Sequence, residues 1–386
     1  MKRLAAIFLL AIFVIGLSGC AARTADDLPQ STRLDREVIA RASLSIYARA
    51  GRDDTDFAAD TTFHTRSDGT IVLYLSHQTD LGHPIHFGVL RFRDEVAARS
   101  NGTLVVELLY GPNSLGGDVA LIDLVNANRL DAAAITIWGA WSGLNDLANL
   151  ESLPYVFTSY EEAWAAYEGT LGQWVTQNVI EPSGARVLGY WTNGLRHFTN
   201  NVRPIVTPAD MVGLRMRSPQ TSTHLATYEA LGAASIAMPF GQVFDALAAG
   251  QVDGQDNPFG NIHAARLFEV QSYLSLSYHM FSAAPLIVSN EFWDSLSPQH
   301  QQVLLDSAFE AGRFQRYLTV EMEAQQLQEM QAHGMLVNQV NIPLFVEAVV
   351  PVWAEHMAHF GSEFAAVASR YINAPDALAH RFSYLP

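Results

Sequence analysis

Three apolar stretches decide the class of the fold: Ile71-Val72-Leu73-Tyr74-Leu75, Thr103-Leu104-Val105-Val106-Glu107-Leu108-Leu109 and Asp131-Ala132-Ala133-Ala134-Ile135-Thr136-Ile137. Each has the length of a buried strand, and helical patterns lie between them. Residues 87–100 place Leu90, Val96 and Ala97 at helical spacing before Asn101-Gly102 ends the turn. Leu115-Gly116-Gly117 leads into a second helix carrying Leu121, Ile122, Val125 and Ala127. This β-α-β-α-β order implies a mostly parallel sheet with helices on both faces. A helix near 161–179 and a strand at 186–191 extend it.

Toward the C-terminus a second α/β unit follows: a strand at 213–218, a helix at 221–231, a strand at 235–240 and a helix at 243–249. Strands at 273–281 and 285–289 precede a long helix with Ser297 as N-cap, Pro298 at its first position and Gly334 as its stop. Unbroken, that helix would reach roughly 54 Å and so lean across two domains; a shorter version breaks at Gly312. Helices near 344–359 and 362–371 close the chain. The expected fold is α/β, a two-lobe clamshell with mixed sheets and a long bridging helix. Residues 68–193 plus about 282–320 would form one lobe, and 194–281 plus about 321–386 the other. Ligands of such folds sit between the lobes at strand ends, and hinges are expected near 193–198 and 279–285.

The N-terminus carries Lys2 and Arg3, an apolar run over 4–17, and Leu17-Ser18-Gly19-Cys20. This is the pattern of a secretory signal with a lipobox. Residues 1–19 are expected to be a lipoprotein signal peptide cleaved before Cys20. Residues 20–67, polar with one helical candidate at 34–50, would form a lipidated tether. Cys20 is the only cysteine, which excludes an internal disulfide and any cysteine-cluster metal site. The protein is therefore expected in the periplasm, held to the membrane of the cell envelope by lipid. Its 386 residues, 49% hydrophobic and 16% charged, can bury two cores. Against 23 Lys plus Arg stand 39 Asp plus Glu, a net charge of −16, the wrong sign for a nucleic-acid partner.

In Gly213-Leu214-Arg215-Met216-Arg217-Ser218-Pro219, alternation places Arg215 and Arg217 on one face of the strand. Pro219 ends that strand, so Arg217 lies at its carboxyl end, where ligands of open α/β sheets bind. A guanidinium there offers a planar fork that matches a carboxylate.

Several segments together resemble the solute-binding subunits of TRAP transporters, the tripartite ATP-independent periplasmic carriers of the DctP type. They are Asn101-Gly102-Thr103, Leu115-Gly116-Gly117, Leu153-Pro154-Tyr155-Val156-Phe157, Gly194-Leu195-Arg196-His197-Phe198-Thr199-Asn200, 213–219, Gly250-Gln251-Val252-Asp253-Gly254-Gln255-Asp256-Asn257-Pro258 and Phe292-Trp293-Asp294-Ser295-Leu296. The resemblance implies a periplasmic-binding-protein clamshell, class II-like. It also implies an extracytoplasmic receptor that closes on an organic acid and delivers it to two integral-membrane TRAP subunits driven by an ion gradient. By motif position, Arg217 is similar to the arginine that salt-bridges the ligand carboxylate, Asn257 to the asparagine that bonds the same group, and Phe240 to an aromatic cleft wall. Arg196 falls where many members place a second cleft arginine.

Two features bear on the ligand. Where the family often supplies a polar contact, this chain has Ile137-Trp138-Gly139-Ala140-Trp141, and Trp138 could stack on a sugar ring or simply pack. The exit of the first strand brings His77 or Gln78 toward the cleft. The ligand stays open between a sugar acid such as a uronate and a C4-dicarboxylate. The same clamshell would also serve as receptor for an ATP-driven importer or a sensor kinase. A secreted enzyme is disfavoured: no Gly-x-Ser-x-Gly elbow or phosphate loop is present, and Asp253 and Asp256 read as turn-capping groups. His77, His83 and His86 fit no tight metal spacing, and Pro84 points to loop and capping roles. No metal and no cofactor are expected.

Overall fold

The computed structural model describes residues 64–109, 117–157 and 159–368. The signal peptide, Cys20 and nearly all of the expected tether lie outside the described residues. Two mixed sheets organise the rest. The first consists of β1 (Ile71–His77), β2 (Leu104–Leu108), β3 (Ala132–Ala134), β4 (Ala185–Leu195) and β10 (Phe281–Ser289), in the order β2-β1-β3-β10-β4. The second consists of β5 (His197–Asn200), β6 (Arg215–Ser218), β7 (Ala234–Ala237), β8 (Gly254–Asn257), β9 (Tyr273–Leu276) and β11 (Leu336–Gln339), in the order β11-β9-β5-β8-β6-β7.

The first sheet is not mostly parallel. β1 pairs in parallel with β2 and β3, but β10 enters antiparallel between β3 and β4. A late strand thus completes an early sheet, which adjacent pattern alone does not reveal. The strand expected over 273–281 is in fact two pieces. β9 ends at Leu276 in one sheet, Tyr278 takes a left-handed φ of 48°, and β10 starts at Phe281 in the other. A matching passage joins β4 to β5, with Gly194 at φ 140° and Arg196 between the strands.

Helices α1 (Pro84–Arg99), α2 (Asp118–Asn126), α3 (Ile137–Trp141) and α4 (Tyr160–Glu168) belong to the first half of the chain. The strand expected over 131–137 stops at Ala134, and Thr136 becomes the extended N-cap of α3. The helix expected over 161–179 breaks after Glu168 and restarts at Thr170, with Gly169 between in a non-helical conformation. Next come α5 (Ser222–Ala230) and α6 (Phe259–Ala264).

Helix α7 (Pro298–Ala332) runs unbroken through Gly312. The Ser297 hydroxyl accepts from the His300 N–H at its start, and Gly334 at φ 106° follows its end. Its first half packs Leu304, Ala308 and Ala311 into the core of the first sheet, while Met330 enters a core of the second. The Gln315 side chain bonds both the N–H and the carbonyl of Thr192 on β4. Two closing helices were expected, but α8 (Ile342–Ala368) is continuous and passes through Pro351. The Trp353 indole, two residues beyond that proline, donates to the Pro154 carbonyl at 2.8 Å.

Gly312 is explained by proximity rather than by a break. A Cβ there would lie 2.9 Å from two atoms of the buried Trp191 ring. Gly312→Ala should therefore destabilise by about 1–3 kcal/mol through overpacking, although alanine improves helix propensity by about 1 kcal/mol. Urea denaturation gives the test: a variant as stable as the parent or more stable would show that the ring yields.

Candidate functional site

The site grows from the passage between the sheets. Leaving β4, the backbone of Arg196 is pinned by its own N–H to the Met280 carbonyl on the neighbouring passage. Its side chain, only 1% exposed, turns to Asp256 on β8. Nε meets Asp256 Oδ2 at 2.5 Å, and Nη2 donates to the Asp256 carbonyl. Asp256 was read from sequence as a turn-capping residue; it lies instead inside a strand, wholly buried. β8 is central because it pairs antiparallel with β5 and parallel with β6.

Three more side chains converge on that carboxylate. From α5, His224 Nε2 lies 3.0 Å from both oxygens and the Tyr228 hydroxyl donates to Oδ1 at 2.5 Å. His279, on the passage between β9 and β10, places Nε2 3.2 Å from Oδ2 while its Nδ1 pairs with the Ser277 hydroxyl at 2.7 Å. Burial alone would raise the Asp256 pKa; Arg196, His224 and His279 reverse that and hold it well below the usual carboxylate range. Burial lowers His224 to about 4 and lowers His279 as well. Among the described residues His224 Nδ1 is buried with no hydrogen-bond partner, which fits a neutral ring whose proton is on Nε2.

Arg217 lies on β6, next to β8, and is 3% exposed. Its Nε and Nη2 both donate to the Met238 carbonyl, at 3.0 and 2.7 Å, and its guanidinium sits 5.9 Å from the Phe240 ring centre. Burial and the nearby Arg196 lower its pKa to about 10, so it stays a cation at neutral pH. Arg215 shares its parity but not its setting, being spent at the surface on Asp253. Asn257 is buried, with its amide 2.5 Å from Gln255 Oε1.

From the first sheet, α3 brings Trp138 across. Its ring centre lies 5.0 Å from the Arg196 guanidinium and 5.8 Å from the His224 ring. The indole thus covers an arginine. Gln78 is tied to Thr136, giving its amide to Oγ1 at 3.2 Å and accepting from the backbone N–H at 3.0 Å. Thr136 in turn donates to Asp118 at 2.9 Å. Asp118 is raised to about 6 by burial, an effect that Thr136 and Arg217 oppose. His77 is buried and paired with His86 at 3.0 Å and with Thr79 at 3.2 Å. His83 caps α1, its Nδ1 accepting from the Ile85 N–H.

The structure thus joins Arg196, Arg217, Phe240 and Trp138 around one locus, sets Asn257 next to its hub, and gives His77 and Gln78 partners of their own in the first half of the chain. Sequence reasoning missed Asp256 as a hub together with His224, Tyr228, His279 and Asp118. The spacing of His224 and Tyr228 on one helix face was the available signal. His224, Asp256 and His279 are also spaced to hold a metal ion, but the Arg196 guanidinium already supplies the positive charge at that carboxylate.

Two mixed sheets joined by strand passages and a spanning helix, with buried arginines between, define the class of two-lobe solute receptors. Residues 75–359 match the family described as bacterial extracellular solute-binding protein, family 7, and the chain belongs to that family, whose members include TRAP transporter receptors. It is 32% identical over 273 residues to the 2,3-diketo-L-gulonate-binding periplasmic protein YiaO of Escherichia coli, covering 71% of this chain and 82% of that one. Among solved structures, a TRAP periplasmic solute-binding protein from Polaromonas, bound to D-erythronate, superposes with a TM-score of 0.73 at 29% identity, covering 77% of this chain and 98% of that one. One from Sulfitobacter, with bound β-D-galacturonate, gives 0.74 at 26%, covering 78% and 100%. Among the described residues no helix is long and apolar enough to cross a membrane.

His77, His83, His86, His197, His224 and His279 are buried imidazoles whose pKa values are all lowered, with burial the largest cause in each. Each titrates near 6.5 in an unfolded chain, so unfolding takes up protons between about pH 6.5 and the lowered values. Their stabilising effect is present above pH 6.5 and is lost as pH falls. Buried Glu151 and Glu323, raised to about 8, and Asp118 and Asp131, raised to about 6, act in the opposite sense, so the imidazole contribution is isolated by comparison. Between pH 7 and pH 5 the denaturation midpoint of His224→Gln should fall less, or rise more, than the parent's; an unaltered slope would count against a neutral His224.

Proposed function

We propose that this protein is the extracytoplasmic receptor of a TRAP transporter, capturing a sugar acid between two lobes through a salt bridge to Arg217 and delivering it to the membrane subunits. The observation that carries this is Arg196 Nη1. It is buried, it has no hydrogen-bond partner among the described residues, and it belongs to a guanidinium covered by Trp138. A buried donor left unmade costs about 1–3 kcal/mol, so such an atom is best explained by an acceptor that arrives with the ligand. Arg217 supplies the charge, Asn257 and Phe240 complete the second-sheet wall, and Trp138 closes over from the first. The erythronate and galacturonate held by the structural relatives support a sugar acid over a C4-dicarboxylate.

In this reading the lobes are residues 68–193 plus about 282–320, and 194–281 plus about 321–386. The two strand passages serve as the hinge, and lipid on Cys20 tethers the receptor to the membrane. The role is binding rather than catalysis.

Thermal-shift screening of the chain from about residue 66 against organic and sugar acids should identify the ligand. Arg217→Ala should then weaken it by about 30-fold to several thousandfold, corresponding to about 2–5 kcal/mol for an unpaired carboxylate. Arg217→Lys should weaken it too, since a point charge cannot reproduce the fork. Unchanged calorimetric affinity in Arg217→Ala would overturn the assignment.

A further inference from the structure

Two arginines side by side would ordinarily suit a ligand with two negative charges. The charges around them tell against that here. Arg196 is matched at 2.5 Å by Asp256, wholly buried, so their charges cancel within the site. The other groups on Asp256 add no charge: His224 has a buried Nδ1 with no partner among the described residues, His279 sets its Nδ1 against the Ser277 hydroxyl, and Tyr228 is a hydroxyl donor. Burial keeps both imidazoles neutral near pH 7 and the Tyr228 phenol protonated, the latter reinforced by Asp256. Arg217 is different, because the partner of its Nε and Nη2 is a neutral carbonyl. Across from it, Asp118 is seated against Thr136 and α3, where a Cβ on Gly139 would lie 2.0 Å from the carboxylate oxygen. Asp118 interacts electrostatically with Arg217 and can only reduce the positive charge further.

We propose that Asp256 is a specificity-determining residue: by cancelling the charge of Arg196 it leaves the site with at most one positive charge, and so selects singly charged acids over dianions of similar size. Arg196 then acts as a directional hydrogen-bond donor through Nη1, and Arg217 alone balances the ligand carboxylate. This rests on the sugar-acid receptor described above and names its ligand class as monocarboxylates with neutral hydroxyl-bearing tails. A dianion entering the same enclosed space would bring one charge with no counter-charge, which a water-poor interior penalises heavily.

The test is calorimetric affinity for a four-carbon sugar monoacid, D-erythronate, and for malate, a dianion of the same chain length, near pH 7.5. The parent protein should prefer the monoacid. Asp256→Asn releases the charge on Arg196, and the preference should shift toward malate by about ten- to a hundredfold. Arg196→Gln leaves Asp256 buried and unpaired, and should weaken the monoacid more than the double variant Arg196→Gln/Asp256→Asn does, with the double variant recovering at least about tenfold. A purely structural hub predicts instead that each variant loses affinity for the monoacid and for malate alike, leaving the ratio between them unchanged, whereas the double variant should return that ratio to the parent's and Arg196→Gln should disfavour malate further. That comparison also decides the matter if Asp256→Asn does not fold. Monoacid binding that depends on Arg217, combined with an unshifted preference and no recovery in the double variant, would overturn this inference while leaving the receptor assignment intact. Absence of any Arg217-dependent acid binding would overturn both.

Discussion

Arg196 and Asp256 have to neutralise each other, because the fold leaves neither in contact with water. An isolated buried charge costs several kcal/mol, and a pair offsets that cost only when the remaining hydrogen-bonding capacity is filled. Much of the local architecture follows from that requirement. The carboxylate needs donors, so α5 must present His224 and Tyr228 to β8, while the passage from β9 to β10 runs close enough to set His279 Nε2 3.2 Å from it. Ser277 holds that passage by pairing with His279 at 2.7 Å. Phe198 stacks on the other side of the His279 ring, with centres 4.1 Å apart. The electrostatics of one pair thereby fix where two segments of chain cross between the sheets.

The same passages explain why tight packing and binding chemistry meet here. Gly194 has a positive φ, and a Cβ on it would lie 2.7 Å from Pro258, the residue after Asn257. Helix α7 lies alongside, touching β4 through Gln315 and ending in the core of the second sheet. Arg196 is therefore built into a tightly packed passage between the sheets, not onto a loop at the rim.

What was legible in the sequence was whatever local pattern determines. The strand-helix alternation from Ile71 onward, the Ser297-Pro298 start of the long helix, and the position of Arg217 before Pro219 each rest on spacing within a few residues. The illegible parts depend on partners far away in the chain. β8 reads Gly-Gln-Asp-Asn, with no apolar alternation to mark it; it is a strand because β5 and β6 flank it. The segment from Tyr273 to Phe281 looks continuous, and only the competition between two sheets shows where it must divide. Pro351 would ordinarily end a helix, and α8 continues past it with Val349, Val352 and Trp353 buried against the second core. Trp138 could be read as a stacking or a packing residue but not as a cover for Arg196, since an arginine 58 positions away supplies its contact.

The depth of the two guanidinium groups separates the equilibrium of binding from its kinetics. Dissolved salt screens charges across roughly 8 Å of solution at physiological ionic strength but does not penetrate an enclosed, water-poor space. An anion bound by these guanidinium groups, as proposed above, should consequently feel much the same attraction in dilute and in saline surroundings. The chain's net charge of −16 is another matter, because surface carboxylates repel an approaching anion most when little salt is present. A receptor of this construction captures its ligand more slowly in fresh water than in brine, yet holds it almost equally well in both.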